Sequence, residues 1–403
     1  MAVMQSDGAR DAVIVGVGET SEVGEVPGKS SLMLHAEAAK AALEDAGLEK
    51  HEVDGVFTND SYVDYHVRHA MAFAEYFGIA SSAKLISTIG LGSAAASGLF
   101  VHHAAAAIRA GQCDVVLAVS ADDLLSGLRR GGAVSALAGN RDKEFEVPYG
   151  PILPASFAMV AMRHMYEYGT APEQLAAVPV TMRHHASLNP RAHMRTPITV
   201  EDVLSSPMIA APLTRLMCSL VSDGGGAFVV TTRERAADLR GPAIEILGAG
   251  LTYGTGDDPR VSDSLSQARD LLQIGTRRAV EMAMSQAGVR HADIDVAFVY
   301  DPFAILPILL LESAGFCEHG AAGTFFAEGR ARLGGDLPVN PHGGLLSYAH
   351  PGNPGGILMF TEAVRQLRGQ SGDRQVADAE VAIVIGFGGQ MGIWPATILG
   401  RAR

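Results

Sequence analysis

The stretch ALEDAGLEKHEVDGVFTND, from Ala42 to Asp60, recurs as MAMSQAGVRHADIDVAFVYD, from Met282 to Asp301. Each copy reads as a helix ending in Ala-Gly, a polar turn holding a basic residue and a histidine, and then a strand. A second pair corresponds too, because AAAAIRAGQCDVVLAVS parallels AVRQLRG followed by AEVAIVIGFGG. A repeat separated by half the chain restricts the fold to two copies of one βα module plus whatever lies between them.

The rest of the sequence fits that restriction. AVIVGVG (Ala12 to Gly18), VDGVF (Val53 to Phe57), DVVLAVS (Asp114 to Ser120), AFVVTT (Ala227 to Thr232), IDVAFVY (Ile294 to Tyr300) and VAIVIGFGG (Val381 to Gly389) read as buried strands. Alanine-rich segments such as LMLHAEAAKAALEDAG and GLFVHHAAAAIRAG read as helices between them, which is α/β layering. Gly47, Gly111, Gly288 and Gly369 stand where a left-handed residue closes a helix. Between the copies, Asp122 to Asp223 is rich in Pro, Arg and His and reads as an ordered loop domain; long structured insertions of this kind usually serve function. The expected organisation is therefore 1–121, a first half; 122–223, a loop domain; and 224–403, a second half.

Composition excludes several functions. The 44 acidic residues against 31 basic ones give a net charge of −13, which disfavours a nucleic-acid binder. No apolar run is long enough to span a bilayer, and the opening MAVMQSDGARD lacks the basic and apolar regions of a signal peptide, so the cytoplasm is the expected address. Cys113, Cys218 and Cys317 lie far apart and offer neither a disulfide framework nor a metal site. The adjacent pairs His102, His103 and His184, His185 suggest ligands only at first sight, because neighbours on a helix point to different faces, and no metal site is expected. GVGETS has Ser21 where a dinucleotide fingerprint needs its third glycine.

The stretch GGLLSYAHPGNPGG, Gly343 to Gly356, is too rich in Gly and Pro for a helix or a sheet interior, yet it fixes Tyr348 and His350 in a rigid turn. With the two βα halves, the loop-domain pieces YEYGT, NPRA and PITVEDVL, the tail VRQLRG, and NPHGG followed by the AHP turn, the chain resembles the thiolase superfamily over essentially its whole length. It is most similar to the sterol-carrier-protein and lipid-transfer-like branch. The resemblance implies a five-layered αβαβα fold with an inserted loop domain, a homodimeric core and an acyl-CoA thioester substrate.

The departures from the family carry the functional expectation. The nucleophilic cysteine of a thiolase, at the start of the helix after the third strand, corresponds to Ala94 in STIGLGSAAASGL, and its second cysteine corresponds to Gly386 in GFGGQMG. Alanine cannot form an acyl-enzyme, and neighbouring Ser93 is turned about 100° away on a helix. Tyr300 in YDPF stands where the branch carries a histidine, and Tyr348 stands two residues before the turn histidine. Paired tyrosines there resemble the thiolase-fold aldolases that shorten steroid side chains by retro-aldol cleavage of a β-hydroxyacyl-CoA.

That chemistry needs no covalent intermediate. The expectation is that Tyr348 and Tyr300 serve as base and acid, in either order, with His350 and the backbone near Gly388 and Gly389 as the oxyanion pocket. His342 is expected to hold the turn, and Asp301 either to orient a tyrosine or to cap the next helix. Arg183, Arg191 and Arg195 are candidates for the coenzyme phosphates. No tightly bound cofactor is expected beyond coenzyme A within the substrate, and the resemblance adds a small OB-fold, zinc-ribbon partner that helps hold the acyl-CoA. The alternatives are an acyl-CoA or lipid-binding protein without thiolysis, and an acyltransferase with an unrecognised nucleophile.

Overall fold

The structure is a computed structural model that describes residues 10–90, 92–139, 142–150, 152–254, 268, 270–389 and 391–402, with the Ser93 side chain also outside the description. The first half runs β1 (Ala12–Glu19), α1 (Ser31–Ala46), β2 (Gly55–Thr58), α2 (His69–Phe77), β3 (Leu85–Thr88), α3 (Ser93–Arg109) and β4 (Val115–Asp122). Then come α4 (Leu124–Ala138), α5 (Leu153–Tyr168), α6 (Pro172–Ser187), α7 (Val200–Ser205) and the hairpin β5 (Met208–Ala210) and β6 (Leu213–Thr214). The chain returns through β7 (Gly224–Thr232) and α8 (Arg233–Ala236). It continues with β8 (Ile244–Tyr253), α9 (Thr276–Ala287), β9 (Val296–Val299), α10 (Ile305–Ser313), α11 (Ala322–Ala327), α12 (Gly355–Leu367), β10 (Val381–Ile385) and β11 (Ile393–Arg401).

Among the described residues the large sheet has nine strands in the order β3-β2-β4-β7-β1-β8-β11-β10-β9. The repeat is visible in it. In one half β2 is parallel to β4, which is antiparallel to β7, which is antiparallel to β1. In the other, β9, β10, β11 and β8 follow each other with the same senses. The halves meet where β1 pairs with β8 through Val13 with Glu245 and Ile14 with Ile244.

Helices α3 and α12 pack on each other and on strands of both halves, while α1 covers the first half and α9 the second. That stacking gives five layers, helix, sheet, helix, sheet, helix. It also explains the all-apolar strands: along β1, Val13 and Val15 face α1 whereas Ala12 and Ile14 face the central layer, so both faces are dry.

The approach of the outer helices is set by glycine. A Cβ on Gly18 would lie 2.2 Å from the Ala42 nitrogen, and one on Gly250 would lie 1.9 Å from the Ala279 carbonyl oxygen. These glycines sit at matching places on β1 and β8. They let α1 and α9 lie directly against the sheet. Gly47, Gly111, Gly288 and Gly369 have φ of 72°, 69°, 67° and 70°, so each closes its helix as a left-handed residue.

Candidate active site

The YDPF motif follows β9, and the AHP turn follows a π-helical turn, Gly344–Tyr348, so both reach the same end of the second half-sheet. Asp301 joins them. Its carboxylate accepts the Leu345 N–H at 2.8 Å and the Leu346 N–H at 3.3 Å. A side chain at Gly344 would put its Cβ 2.1 Å from Asp301 Oδ2, and Gly343 and Gly344 take φ of 107° and 61°; both pressures call for glycine here. Asp301 therefore caps this turn rather than α10 or a tyrosine, and burial pushes its carboxyl up to about 7.

Tyr300 and His350 meet. The Tyr300 hydroxyl lies 3.2 Å from His350 Nε2, with the rings edge to face at 6.1 Å. On the far side of the imidazole, Nδ1 is 2.8 Å from Ser219 Oγ and 3.2 Å from the Leu220 carbonyl. A carbonyl only accepts, so the Leu220 contact assigns the proton to Nδ1 and leaves Nε2 as an acceptor for the phenol. Burial pushes the imidazole down to about 4, partly offset by that carbonyl, so the ring is neutral near neutral pH. The site thus holds a neutral base hydrogen-bonded to a phenol.

The segment that supplies Ser219 and Leu220 was not visible as a functional element in the sequence. It closes the insertion just before β7 and is laced to both motifs: Ser219 N–H donates to Pro302, Leu220 N–H to Leu345, and Ser222 N–H to His350. The Ser222 hydroxyl in turn accepts the His350 N–H at 2.7 Å. Nothing in CSLVS announces this, because its contribution is mostly backbone.

Tyr348 goes elsewhere, which corrects its expected pairing with Tyr300. Its hydroxyl donates to Glu19 Oε2 at 2.6 Å, and its ring packs with Ala186, Ala192 and Leu358 away from the cavity described below. Glu19 is buried and also accepts from Thr361 at 2.5 Å and Arg365 at 2.6 Å, and forms an ion pair with Arg191 at 3.2 Å. Burial alone would raise this carboxyl, but the guanidiniums of Arg365 and Arg191 and the two hydroxyls hold it down at about 2. Burial and the Glu19 charge push the Tyr348 phenol well above the ordinary tyrosine range, opposite to what a base requires. The Tyr348 hydroxyl is an anchor.

The other expected residues divide in the same way. His342 is buried between the rings of Phe298 and Tyr348, and burial pushes it down to about 3. The Gly388 N–H is taken by the Ile393 carbonyl at 2.8 Å and does not point to a substrate, whereas Gly389 lines the cavity. Arg191 is held by Glu19 and the Thr20 carbonyl, and Arg195 donates to the Ser187 carbonyl. Arg183 alone of the three reaches the cavity.

Ala94 and Gly386, expected to correspond to the two cysteines of a thiolase, lie side by side. A Cβ built on Gly386 would be 3.0 Å from the Ala94 Cβ, and one on Gly356 would be 2.4 Å from the Ala94 Cα. Ala94 is buried at the start of α3, and its neighbour Ala95 donates to the Phe387 carbonyl. Phe387 stands with its ring 5.3 Å from Tyr300, 5.8 Å from Phe157 and 6.0 Å from Trp394, forming cavity wall where the nucleophile would be sought.

That cavity has a volume of about 490 Å³, within the range of small-molecule sites. Tyr300, His350 and Ser219 give it a polar end; Val134, Leu153, Phe157, Leu220, Phe303 and Phe387 make most of the wall apolar. Cys218 also lines it, a position not anticipated, but burial pushes this thiol up to about 12 and its hydrogen-bond partner is the Thr214 carbonyl. It is a poor nucleophile. Among the described residues no group of three or more His, Cys, Asp or Glu side chains is arranged to hold a metal ion. No described helix is long and apolar enough to cross a membrane.

The chain is similar to several known proteins. The family "Thiolase C-terminal domain-like" matches residues 260–401. The chain is 37% identical to a steroid side-chain-cleaving aldolase of Thermomonospora curvata, over 94% of this chain and 95% of that protein. It is 34% identical to an acetyl-CoA acetyltransferase of Methanothermobacter thermautotrophicus, over 97% of this chain and all of that one. Among solved structures, the Ltp2-ChsH2(DUF35) aldolase superposes with a TM-score of 0.84 at 34% identity, covering 98% of this chain and 99% of its own. With the paired halves and the central helices, these matches make the chain a member of the thiolase superfamily, of the sterol-carrier and lipid-transfer-like kind.

Proposed function

We propose that this protein is an acyl-CoA-dependent carbon–carbon lyase that cleaves a β-hydroxyacyl-CoA by a retro-aldol reaction, with Tyr300 and His350 as the reacting pair. The observation that carries the reading is the contact of the Tyr300 hydroxyl with a neutral His350 at the floor of an apolar cavity, where both cysteine positions of a thiolase are empty. The aldolase relatives supply the reaction class.

The β-hydroxyl gives its proton to His350 Nε2, directly or through the Tyr300 phenol. The bond between Cα and Cβ then breaks: its electron pair moves onto Cα as the thioester enolate, and Cβ becomes the carbonyl of the leaving ketone or aldehyde. The same proton returns to Cα, giving the shortened acyl-CoA, so nothing is consumed. Asp301 and the Glu19–Tyr348 pair hold the turn that carries His350, and the apolar wall excludes water from the enolate.

In this reading the loop domain, 122–223, shapes the acyl pocket between the halves 1–121 and 224–403. Coenzyme A enters only as part of the substrate. The chain works in the cytoplasm as a homodimer with a small OB-fold, zinc-ribbon partner; the half-buried edge strand β3 supports the dimer, and the name of the Ltp2-ChsH2(DUF35) aldolase supports a second subunit.

The test is mass-spectrometric product analysis with a tertiary β-hydroxyacyl-CoA and, separately, a β-ketoacyl-CoA plus free coenzyme A. A ketone and a shortened acyl-CoA are expected from the first, with the rate falling by about 10²- to 10⁴-fold in Tyr300→Phe. Thiolysis of the keto substrate would instead establish an acyltransferase. Binding without turnover of either would leave a carrier.

A further inference from the structure

The charge inside the cavity is the reverse of the charge of the chain. Arg130 from α4, Arg183 from α6 and Arg215 after β6 line it, and no described Asp or Glu does, although acidic residues outnumber basic ones 44 to 31 overall. Among the described residues none of these three guanidiniums has a carboxylate within ion-pair distance.

Arg183 is the one for which this matters most, since it is only 7% exposed. Its Nε donates to Ser347 Oγ at 2.9 Å and its Nη1 to the Thr196 carbonyl at 3.2 Å, both neutral acceptors. Burial pulls the guanidinium below the usual arginine value, and among the described residues no carboxylate pairs with it. The contrast is with Arg191 and Arg365, which are half-buried and rest on Glu19. A buried cation without a counter-ion is costly, and one that faces a substrate cavity is matched when an anion arrives. Asp223 acts on the same neighbourhood, through His193, but both its oxygens are taken by Val26, Leu125 and Ser126.

Position narrows the kind of anion. Ser347, which holds Arg183, is three residues before His350, so the guanidinium stands beside the turn that carries the base, within about 10 Å of chain. A thioester placed at Tyr300 and His350 keeps the coenzyme phosphates at the far end of the pantetheine arm. A group on the acyl side is the better match for a cation so close to the chemistry.

We propose that the acyl group of the substrate carries a carboxylate that docks on Arg183, with Arg130 and Arg215 nearer the mouth. The substrate is then a half-thioester of a hydroxy diacid. This rests on the retro-aldol reading and adds the substrate class to it. A charge-assisted pair of this kind is worth about 1.5–3 kcal/mol, which is a preference on the order of ten- to hundredfold.

The experiment compares kcat/KM for two β-hydroxyacyl-CoA thioesters, one ending in a carboxylate and one in its methyl ester, in the wild type, Arg183→Gln and Arg215→Gln. Both pairs are also made as pantetheine thioesters, which lack the phosphates of the nucleotide. The wild type is expected to prefer the carboxylate at least tenfold with either carrier, and both variants to lose much of that preference. Arg215 is exposed, so its variant keeps the comparison open if Arg183→Gln folds poorly. Equal cleavage of acid and ester by the wild type overturns the proposal and leaves the retro-aldol reading standing. An effect of the variants that vanishes with pantetheine thioesters assigns the arginines to a coenzyme phosphate and also overturns it. If the wild type cleaves neither, the retro-aldol reading fails; calorimetric binding of the two CoA thioesters then decides, tighter binding of the acid supporting the carboxylate site and equal binding ending it.

Discussion

His350 and Tyr348 are two residues apart, and their surroundings give them opposite duties. His350 is neutral, with its Nε2 turned to Tyr300, while Tyr348 is tied to a carboxylate that two guanidiniums and two hydroxyls hold ionised. Tyr348→Phe removes one charge-assisted hydrogen bond from a buried Glu19 that keeps Thr361, Arg365 and Arg191. The expected result is a loss of about 1.5–3 kcal/mol in a denaturant titration, with cleavage surviving in the folded protein. Loss of cleavage at unchanged stability would return Tyr348 to the chemistry. Tyr300, His350 and positions 94 and 386 could be singled out from the sequence because each occupies a slot in a recognisable motif. The direction of Tyr348 was not legible: it ends a π-helical turn, and the backbone of that turn aims the phenol at β1, more than three hundred residues away in the chain.

At the scale of elements, the six strands read from β-branched runs are all present, whereas β3, β8 and β11 of the large sheet and the hairpin β5–β6 were missed. The reason is physical. β8 contains Gly248 and Gly250, and β11 contains Pro395, residues that ordinarily weaken a strand. Here the glycines admit α9, whose Ala279 and Ala283 carbonyls would lie 1.9 Å and 2.1 Å from a Cβ on Gly250 and Gly248. The matching GVG of β1 does the same for α1, so the repeat extends to a feature that local propensity hides. Gly250→Ala must move backbone and is expected to cost about 1–3 kcal/mol or more. Gly131→Ala, on α4 with nothing within 4 Å of its added Cβ and no positive φ, is expected to be neutral or stabilising by about 0.5–1 kcal/mol. Thermal or denaturant midpoints of the pair check this; equal effects would mean that α9 does not rest on the sheet as described.

Over the whole molecule, two half-sheets face a shared layer of helices, and the insertion from the first half closes over motifs of the second. Such layering buries polar groups that an ordinary surface would leave in water, and these set the response to acid. Burial pushes His35, His185 and His342 down to about 3 and His102 and His350 to about 4. Between about 4 and the ordinary histidine value of 6.5, the unfolded chain takes up protons that these folded rings refuse, so each makes stability fall as pH is lowered through that window. Asp122 and Asp301 act the other way. Pushed up to about 7 by burial, they hold protons in the folded state that the unfolded chain releases above its ordinary value of 3.8. Glu19, held at about 2, loses its contribution only below the ordinary carboxylate value of 4.5. The five rings outnumber the two carboxyls, so the net slope is positive, and the protein is expected to lose stability between pH 6.5 and 5 before any paired carboxylate is protonated. Urea titrations at pH 7.5, 6.5 and 5.5 at one ionic strength measure this directly. A midpoint that holds or rises toward pH 5.5 would mean that Asp122 and Asp301 outweigh the buried histidines.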